Sequence, residues 1–259
     1  MQGCVCPHPP LLIPEIGRGN RDEVQATVAA MERLSAALGE VGTAVIVSPH
    51  TPTLLDAFTV KTAARLGGDF ATFGCPHVGR EFDNDPEFVQ ALLAGAADVP
   101  GLALRETPDD ELDHGVLVPM YFLHARRLVS LSIVARYAPH RELGALVRRT
   151  AERLARDVLF IASGDLSHRL IRGAPAGYDE LGAAFDQRVT ELLAEGDFEG
   201  LDTLGGELVE RAGECGLRSL IALGGFLGDD AARNPQIFSY EGPFGVGYLV
   251  AGFGVDSHD

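Results

Sequence analysis

The chain has 259 residues, of which 46% are hydrophobic and 22% are charged, a balance that is ordinary for a soluble globular protein and excludes extended disorder. Its formal net charge of −16 argues against nucleic acid or an anionic membrane surface as a main partner. No apolar run approaches the roughly 18 residues of a membrane-spanning helix, and a basic signal-peptide region is not expected because no lysine or arginine precedes Arg18. Four cysteines are too few for a disulfide scaffold, so we expect a reduced, cytoplasmic setting.

Short apolar runs alternate with amphipathic segments along the chain. Strands are predicted at 3–6, 43–48, 128–135, 158–163 and 246–253. The first helix is predicted to begin at Asn20, in a capping box with Glu23, and to end at Gly39. Further helices are predicted at 86–97, 141–154, 179–195 and 216–227. This order predicts an α/β fold with a largely parallel central sheet covered by helices on both faces, and the absence of any linker predicts a single domain over residues 1–259.

Three histidines follow directly after predicted strands: His8, His50 and His168. In an open α/β sheet, ligands collect beyond the carboxyl ends of the strands, so these three imidazoles are predicted to meet at one edge of the sheet. His8 also precedes Pro9, which confines its backbone to extended geometry. Such restriction suits a metal ligand, whose donor atom must be held in place. A solvated loop histidine is the plainer alternative for each of them.

The segment SGDLSHRL (163–170) surrounds His168 with three hydrogen-bonding side chains, those of Ser163, Asp165 and Ser167. They are predicted to fix the tautomer of the imidazole, as a general acid–base histidine requires. The alternative is a polar turn that caps a helix.

In the segment LDHGVLVPM (112–120), His114 follows Asp113 in a predicted loop before an apolar stretch. Alone, this pair is a weak indication of function. Of the other histidines, His140 is predicted at the start of a helix and His258 in the tail of the chain, and neither receives a role. The same holds for His77 and His124.

The segment AGECGLRSL (212–220) opens a predicted helix with two potential metal ligands, Glu214 and Cys215. Glycines on both sides of this pair allow the backbone to approach another group closely. The alternative for Glu214 is a carboxylate that favours the N-terminus of a helix. Cys4 and Cys6 share one face of the first strand with His8, but they lack the usual spacing of zinc sites, so they are predicted to be small buried side chains.

The motifs PHPPLLIPEIG, SPH, LDHG, SGDLSH, GECGLRSL and GVGYLVAGF together resemble the catalytic B subunits of class III extradiol ring-cleavage dioxygenases, the LigB superfamily. The resemblance runs nearly from end to end of the chain. The superfamily also includes Memo proteins and dioxygenase-type domains found beside Ammecr-type domains. The resemblance implies a mononuclear Fe²⁺ site with two histidines and one carboxylate, in which another divalent ion such as Zn²⁺ is the alternative.

By this resemblance, His8 and His50 match the two histidine ligands of the metal. The position of the third ligand, near the start of a late helix, falls on Cys215 or on its neighbour Glu214. Ring-cleaving members have glutamate there, whereas Memo proteins have cysteine. The register of the motif favours Cys215, and a shift of one residue would restore Glu214 and the usual triad.

His168 matches the acid–base histidine of the family, and His114 matches a second histidine close to the substrate. The resemblance therefore implies an oxidoreductase of aromatic-compound catabolism, an extradiol dioxygenase that inserts both atoms of dioxygen into a catechol-like or aminophenol-like ring. One alternative is a Memo-like metal-binding redox protein without ring cleavage, working with an Ammecr-type or radical-enzyme partner. A zinc hydrolase on the same histidines is a third interpretation, and a homo-oligomer is expected.

Aromatic residues make up only 7% of the chain, and tryptophan is absent, so a substrate ring would stack on phenylalanine or tyrosine. The aromatic candidates are Phe122, Tyr178 and Phe244. Arginines near the motifs are candidates for binding a substrate carboxylate, with a surface role as the alternative: Arg169, Arg172 and Arg218.

Overall fold

Ten strands form one large sheet and one separate hairpin in the computed structural model, which describes residues 1–230 and 234–255. In chain order they are β1 (Gln2–Cys6), β2 (Glu40–Val47), β3 (Phe58–Lys61), β4 (Arg65–Phe70), β5 (Cys75–Asp83), β6 (Leu104–Thr107), β7 (His124–Leu131), β8 (Val158–Ser163), β9 (Gln236–Glu241) and β10 (Tyr248–Phe253). The large sheet has the order β6-β3-β7-β2-β8-β1-β10-β9, and β4 pairs with β5. Strands β7, β2, β8 and β1 are parallel, whereas β10 and β9 add antiparallel strands at one edge.

Helices cover both faces of the large sheet, as predicted. They are α1 (Pro14–Gly17), α2 (Gln25–Leu38), α3 (Pro86–Ala96), α4 (His114–Phe122), α5 (Pro139–Leu154), α6 (Glu180–Glu195), α7 (Phe198–Asp202), α8 (Gly206–Ala212) and α9 (Leu217–Leu227). Side chains alternate along each strand, so Val45 and Val47 of β2 join the core under α3, α5, α6 and α9. Ala44 and Ile46 join the opposite core under α2 and α4. The predicted α/β fold with a largely parallel central sheet is therefore confirmed.

The first long helix begins later than its sequence predicts. Residues Arg18–Val24 form a 3-10 helix, and α2 begins only at Gln25. The predicted capping box does not form, because Asn20 lies inside this tighter segment. Gly39 ends α2 as predicted, with a φ of 65° that suits a residue without a side chain.

His114, predicted to lie in a loop with Asp113 before an apolar stretch, is instead the first residue of helix α4. This helix has nine residues, contains Pro119 and is buried on nearly all sides. It therefore lacks the apolar–polar periodicity that identifies a surface helix in a sequence. Asp113 is the residue that precedes its first turn, so the fold fixes the direction in which His114 leaves the backbone.

The histidines without an assigned role that the structure describes do not follow the carboxyl end of a parallel strand, and His124 is the first residue of β7. His140 begins the first turn of α5 as predicted, and its two ring nitrogens bond to the Tyr137 carbonyl and the Val134 N–H. His77 is exposed on β5, and His258 lies outside the described residues. Across the ranges 1–230 and 234–255, no helix has the length and apolar character needed to cross a bilayer.

Candidate metal centre

Three neighbouring strands of the parallel region deliver polar side chains to one point. His8 follows β1, His50 follows β2 and Asp165 follows β8, at the carboxyl ends of these strands. The Nε2 atoms of His8 and His50 lie 3.1 Å apart. The structure therefore brings together the two histidines that sequence analysis placed at separate strand ends.

The orientation of the buried His8 ring is set by Ser163, the last residue of β8. His8 Nδ1 lies 3.0 Å from the Ser163 hydroxyl oxygen, and that hydroxyl donates its proton to the Gly115 carbonyl at 2.5 Å. Ser163 must therefore accept the hydrogen bond from Nδ1–H. The remaining nitrogen of a neutral imidazole then carries a lone pair, so Nε2 of His8 faces His50 as a donor atom for a cation.

Asp113 joins the loop after β2 to the start of α4. Its carboxylate accepts hydrogen bonds from the hydroxyls of Ser48 and Thr51, both at 2.7 Å. His50 lies between these two residues, and its backbone N–H donates to Ser48 Oγ at 3.2 Å. The ring of His114, which follows Asp113 directly, lies 4.1 Å from the His50 ring between centroids. This carboxylate, rather than a local loop, places His114 beside the strand-end histidines.

Cys215 reaches the same point because two backbones cross closely. A Cβ atom on Gly164 would lie 2.2 Å from the Cα of Gly216, so position 164 requires glycine, and a Cβ atom on Gly216 would lie 3.0 Å from the Asp165 carbonyl oxygen. The crossing brings Cys215 Sγ to 3.7 Å from His8 Nε2. The Asp165 N–H donates to the same sulfur at 3.2 Å.

Glu214, the other candidate for the third ligand, is engaged at the start of α9. Its Oε2 accepts a hydrogen bond from the Leu217 N–H at 2.6 Å, and its Oε1 accepts one from the Tyr137 hydroxyl at 3.0 Å. The Arg218 guanidinium lies 3.8 Å from Oε1, and the side chain of Glu214 is only 2% exposed. These contacts correspond to the alternative in which Glu214 caps a helix, and they leave Cys215 as the residue of this segment that faces His8.

Two groups of ligand atoms, each with members within 4.8 Å of one another, share His8. One group combines it with His50 and His114, and the other combines it with Asp165 and Cys215. Two nitrogens held about 2.1 Å from one cation are roughly 3.0–3.4 Å apart, which agrees with the separation between His8 and His50. Imidazole, carboxylate and thiol donors suit Fe²⁺ or Zn²⁺ better than Mg²⁺ or Ca²⁺. The donor set and its spacing therefore fit a divalent transition metal.

Burial keeps these imidazoles neutral at pH 7. Burial, together with the neighbouring histidines, holds the pKa of His8 well below its usual value, and burial lowers the pKa of His114 to about 4. Burial also raises the pKa of the Cys215 thiol and raises the pKa of Asp165 to about 7, although the His8 N–H opposes the latter effect. Without a cation the site thus carries little charge, and its imidazole lone pairs are free to bind one.

Loss of the Ser163 hydroxyl tests how His8 is oriented. In Ser163→Ala, the Nδ1–H of His8 loses its acceptor, and we expect Zn²⁺ affinity to fall roughly 10- to 100-fold. Competition with a chromophoric chelator measures this change. Ser35→Ala is the matched control, because it removes a hydroxyl-to-carbonyl bond of 2.6 Å to Phe122 on another part of the fold. Equal affinity in both variants would contradict the assigned role of Ser163.

His168 lies near the cluster but belongs to neither group of ligand atoms. The predicted hydrogen bonds of Ser163, Asp165 and Ser167 to His168 are wrong. The first two side chains face His8, because β8 lies beside β1, and the Ser167 hydroxyl bonds to the Ala212 carbonyl. Burial lowers the pKa of His168 and the nearby His50 lowers it further, although hydrogen bonding to the backbone of Leu166 and Gly213 opposes this. His168 is thus an imidazole whose neutral form is favoured at pH 7.

The loop that carries His168 is fixed by Asp186, a residue of α6 that sequence analysis did not identify. The Asp186 carboxylate is fully buried and accepts hydrogen bonds from the Ser167 N–H and the Tyr240 hydroxyl, both at 2.7 Å. On the other side of the loop, the Ser167 hydroxyl donates to the Ala212 carbonyl at 2.8 Å. The amphipathic pattern of α6 does not reveal this role, because Asp186 is a single polar residue on the buried face of the helix and its partners, Ser167 and Tyr240, are distant in the sequence.

Asp186 also makes stability depend on pH. Burial raises its pKa to about 7, although the Ser167 N–H and the Tyr240 hydroxyl oppose this. A carboxyl group with such a raised pKa contributes stability below its unfolded pKa of about 4, and this contribution is lost as the pH rises through about 7.

In Asp186→Asn, which does not titrate, the free energy of unfolding relative to wild type should increase between about pH 4 and pH 8, by on the order of 2–4 kcal/mol. Urea unfolding at both ends of this range measures the difference. Asp98→Asn, on an exposed turn, is the control and should show no such trend. A constant difference for Asp186→Asn would contradict the raised pKa.

An aromatic ring beside the cluster is that of Phe73, which sequence analysis did not identify. Its ring lies 5.3 Å from the ring of His114 and is 40% exposed. Phe73 is in the turn between β4 and β5, strands that show no strong pattern in the sequence. The predicted candidate Phe122 is instead buried in the core. Arg218 stacks on Tyr137 at 4.0 Å and binds the Ala135 carbonyl, so its guanidinium is already engaged.

Comparison with known proteins gives matches along almost the whole chain. A family model described as the catalytic LigB subunit of aromatic ring-opening dioxygenase matches residues 2–251. The protein CA_C1420 of Clostridium acetobutylicum is 32% identical over 268 residues, which cover 98% of this chain but 57% of that protein. A 3,4-dihydroxyphenylacetate 2,3-dioxygenase of Escherichia coli is 26% identical over 242 residues, which cover 86% of this chain and 87% of that protein.

Among solved structures, the crystal structure of the Escherichia coli K12 protein JW3007 superposes with a TM-score of 0.65. It covers 98% of this chain and 100% of that chain at 20% identity. At this level of identity the match shows a common fold, which is the fold described above.

Proposed function

Because this chain belongs to the LigB family of catalytic subunits of aromatic ring-opening dioxygenases, we propose that it is an Fe²⁺-dependent extradiol dioxygenase acting on a catechol-like or aminophenol-like ring. The observation that carries this proposal is the convergence of His8 and His50, with their Nε2 atoms 3.1 Å apart at adjacent strand ends. A relative at 26% identity, named for an extradiol ring cleavage, supports the same class of reaction.

In this proposal the metal is held by His8, His50 and Cys215, with the carboxylate of Asp165 beside them. Cys215 Sγ is 3.7 Å and Asp165 Oδ2 is 3.8 Å from His8 Nε2, so either can join the histidines. Glu214 is not part of this set, since both of its oxygens are bonded at the start of α9. When bound, Fe²⁺ would supply open positions for substrate oxygens and dioxygen and would allow electron transfer between them.

The protein's own contribution is to move protons and to orient the ring. His168 is neutral at pH 7 because burial lowers its pKa and the nearby His50 lowers it further. It can therefore accept the proton of a substrate hydroxyl and later return it. His114, also neutral, lies close enough to the His50 ring to serve as a second proton donor or as a further metal ligand. Phe73 offers the exposed aromatic face beside His114.

A second candidate function is a Memo-like metal-binding redox protein without ring cleavage. The observation in its favour is Cys215, a sulfur donor that faces His8 where ring-cleaving enzymes present glutamate. A thiolate would bind Zn²⁺ or Fe²⁺ tightly but would give the metal a different charge and softness from a carboxylate.

Metal analysis and dioxygen uptake distinguish these two functions. Protein purified without oxygen and loaded with Fe²⁺ is assayed in an oxygen electrode with a panel of catechols and aminophenols that includes 3,4-dihydroxyphenylacetate. Stoichiometric uptake with a yellow ring-opened product supports the dioxygenase, and a His8→Ala variant is the inactive control. Tight metal binding without uptake across the panel would favour the second function, and failure to retain any divalent metal would contradict both.

A further inference from the structure

A cavity of 610 Å³ lies between α5, α7, α8 and α9, apart from the cluster of histidines. Its floor is apolar and is formed by Leu201, Leu204, Val209, Leu217 and Ile221. Neither group of metal-binding side chains contributes to its lining. Pockets of roughly 300–1,000 Å³ with apolar walls and a few polar groups are typical binding sites for small organic molecules.

The polar residues of this cavity give it an acidic rim. Among the residues that the structure describes, Arg141 is the only cation that lines the cavity, and it is neutralised by Asp202 at 2.6 Å and bonded to the Phe198 carbonyl at 2.7 Å. The carboxylates of Glu142 and Glu210, by contrast, have no hydrogen-bond or ion-pair partner within residues 1–230 and 234–255. An anionic ligand would therefore meet two uncompensated negative charges.

We propose that this cavity binds an apolar organic cation, such as an arylalkyl amine. The apolar part would displace water from the leucine, valine and isoleucine side chains of the floor, and the ammonium group would lie at the rim near Glu142 and Glu210. Tyr137, which also lines the cavity, adds an aromatic ring to its apolar surface. That ring already carries the Arg218 guanidinium 4.0 Å from its centroid.

An occupant of this cavity would contact residues that hold the start of α9. Tyr137 donates its hydroxyl to Glu214, and Leu217 donates its N–H to the same carboxylate. Both residues line the cavity. The lining residue Leu217 is thus two positions from Cys215 in the chain, but binding in the cavity does not depend on ring-opening activity or on a bound metal.

Three probes of the same shape and different charge test the proposal: 4-phenylbutylamine, 4-phenylbutanol and 4-phenylbutyrate. Each is titrated into metal-free protein, with binding followed by calorimetry and by backbone amide NMR shifts. We expect the amine to bind with a Kd of roughly 0.1–1 mM, the alcohol more weakly and the carboxylate not measurably. The shifts should occur at Gly206, Leu217 and Ile221 and not at His50 or Thr51.

In the double variant Glu142→Gln with Glu210→Gln, the affinity for the amine should fall by roughly 3- to 10-fold, and the affinity for the alcohol should stay unchanged. Glu23→Gln with Glu195→Gln is the matched control, because it removes two exposed carboxylates that lie outside the cavity. Equal weakening in both pairs would mean nonspecific attraction to an acidic protein. That outcome, amide shifts confined to other regions, or tighter binding of the carboxylate would each overturn the proposal.

Discussion

His168→Ala is expected to keep the divalent metal while losing ring-opening activity by roughly 10²- to 10⁴-fold, the usual contribution of a general acid–base group. The reason is geometric: the ring of His168 lies outside both groups of ligand atoms, yet its charge state is coupled to His50 and His8. Metal content per chain and initial rates of dioxygen uptake, measured on the same preparation, test this directly.

Two further measurements sharpen that experiment. A neutral His168 that accepts a proton predicts that the lower limb of the pH–rate profile disappears in the variant, which a merely structural loss would not produce. His77→Ala, at an exposed position on β5, is the control for removal of an imidazole. Loss of metal from His168→Ala, with retention in the control, would make His168 a ligand and overturn its assignment as the proton-transfer group.

The Cys215→Ala and Glu214→Gln variants are expected to differ clearly in metal affinity, although they alter neighbouring residues. Cys215→Ala should lower metal affinity by roughly 100-fold or more, since even a group that only orients a ligand is worth about 10- to 100-fold. Glu214→Gln should change metal affinity by less than about 3-fold, because its oxygens bond to Leu217 and Tyr137 rather than to the cluster. Affinities measured by chelator competition for Zn²⁺ and for Fe²⁺ under anaerobic conditions provide the comparison.

The stability of the two variants provides the complementary measurement. Glu214→Gln keeps an amide oxygen for one of its two hydrogen bonds but loses the charge near Arg218, so a loss of about 1–2 kcal/mol in the free energy of unfolding is expected. Cys215→Ala removes a small, half-buried thiol and should cost a similar amount or less. Asp165→Asn, measured alongside, shows whether the carboxylate beside Cys215 also binds the metal. Equal metal affinity in the Glu214 and Cys215 variants would remove the segment from the centre altogether.

The elements that carry the centre could be predicted from sequence because their signals are local. Strand β8 has the predicted bounds, β1 and β2 agree to within a few residues, and His8 and His50 follow directly after them. The hydrophobic runs of parallel strands, buried on both faces, suffice for this. The rule that ligands collect beyond the carboxyl ends of such strands then predicts which histidines meet.

The surroundings of His8 could not be predicted in the same way. Ser163 and Asp165 are close in sequence to His168, and hydrogen bonds to that residue were the natural expectation. They bond to His8 instead, because β8 pairs in parallel with β1 and the sheet register places Ser163 opposite Cys6. Strand pairing is a contact between segments far apart in the chain, and a single sequence carries no direct record of it.

The sequence by itself determined the fold class, the strand-end positions of His8, His50 and His168, and a pair of adjacent candidates for the third ligand. Only the tertiary structure decided which of these two side chains faces His8, because the crossing of the backbone at Gly164 and Gly216 turns the sulfur of Cys215 towards it. Helical periodicity and strand patterns reflect interactions between near neighbours in the chain. The direction of a side chain in a loop depends on which distant segment packs against it.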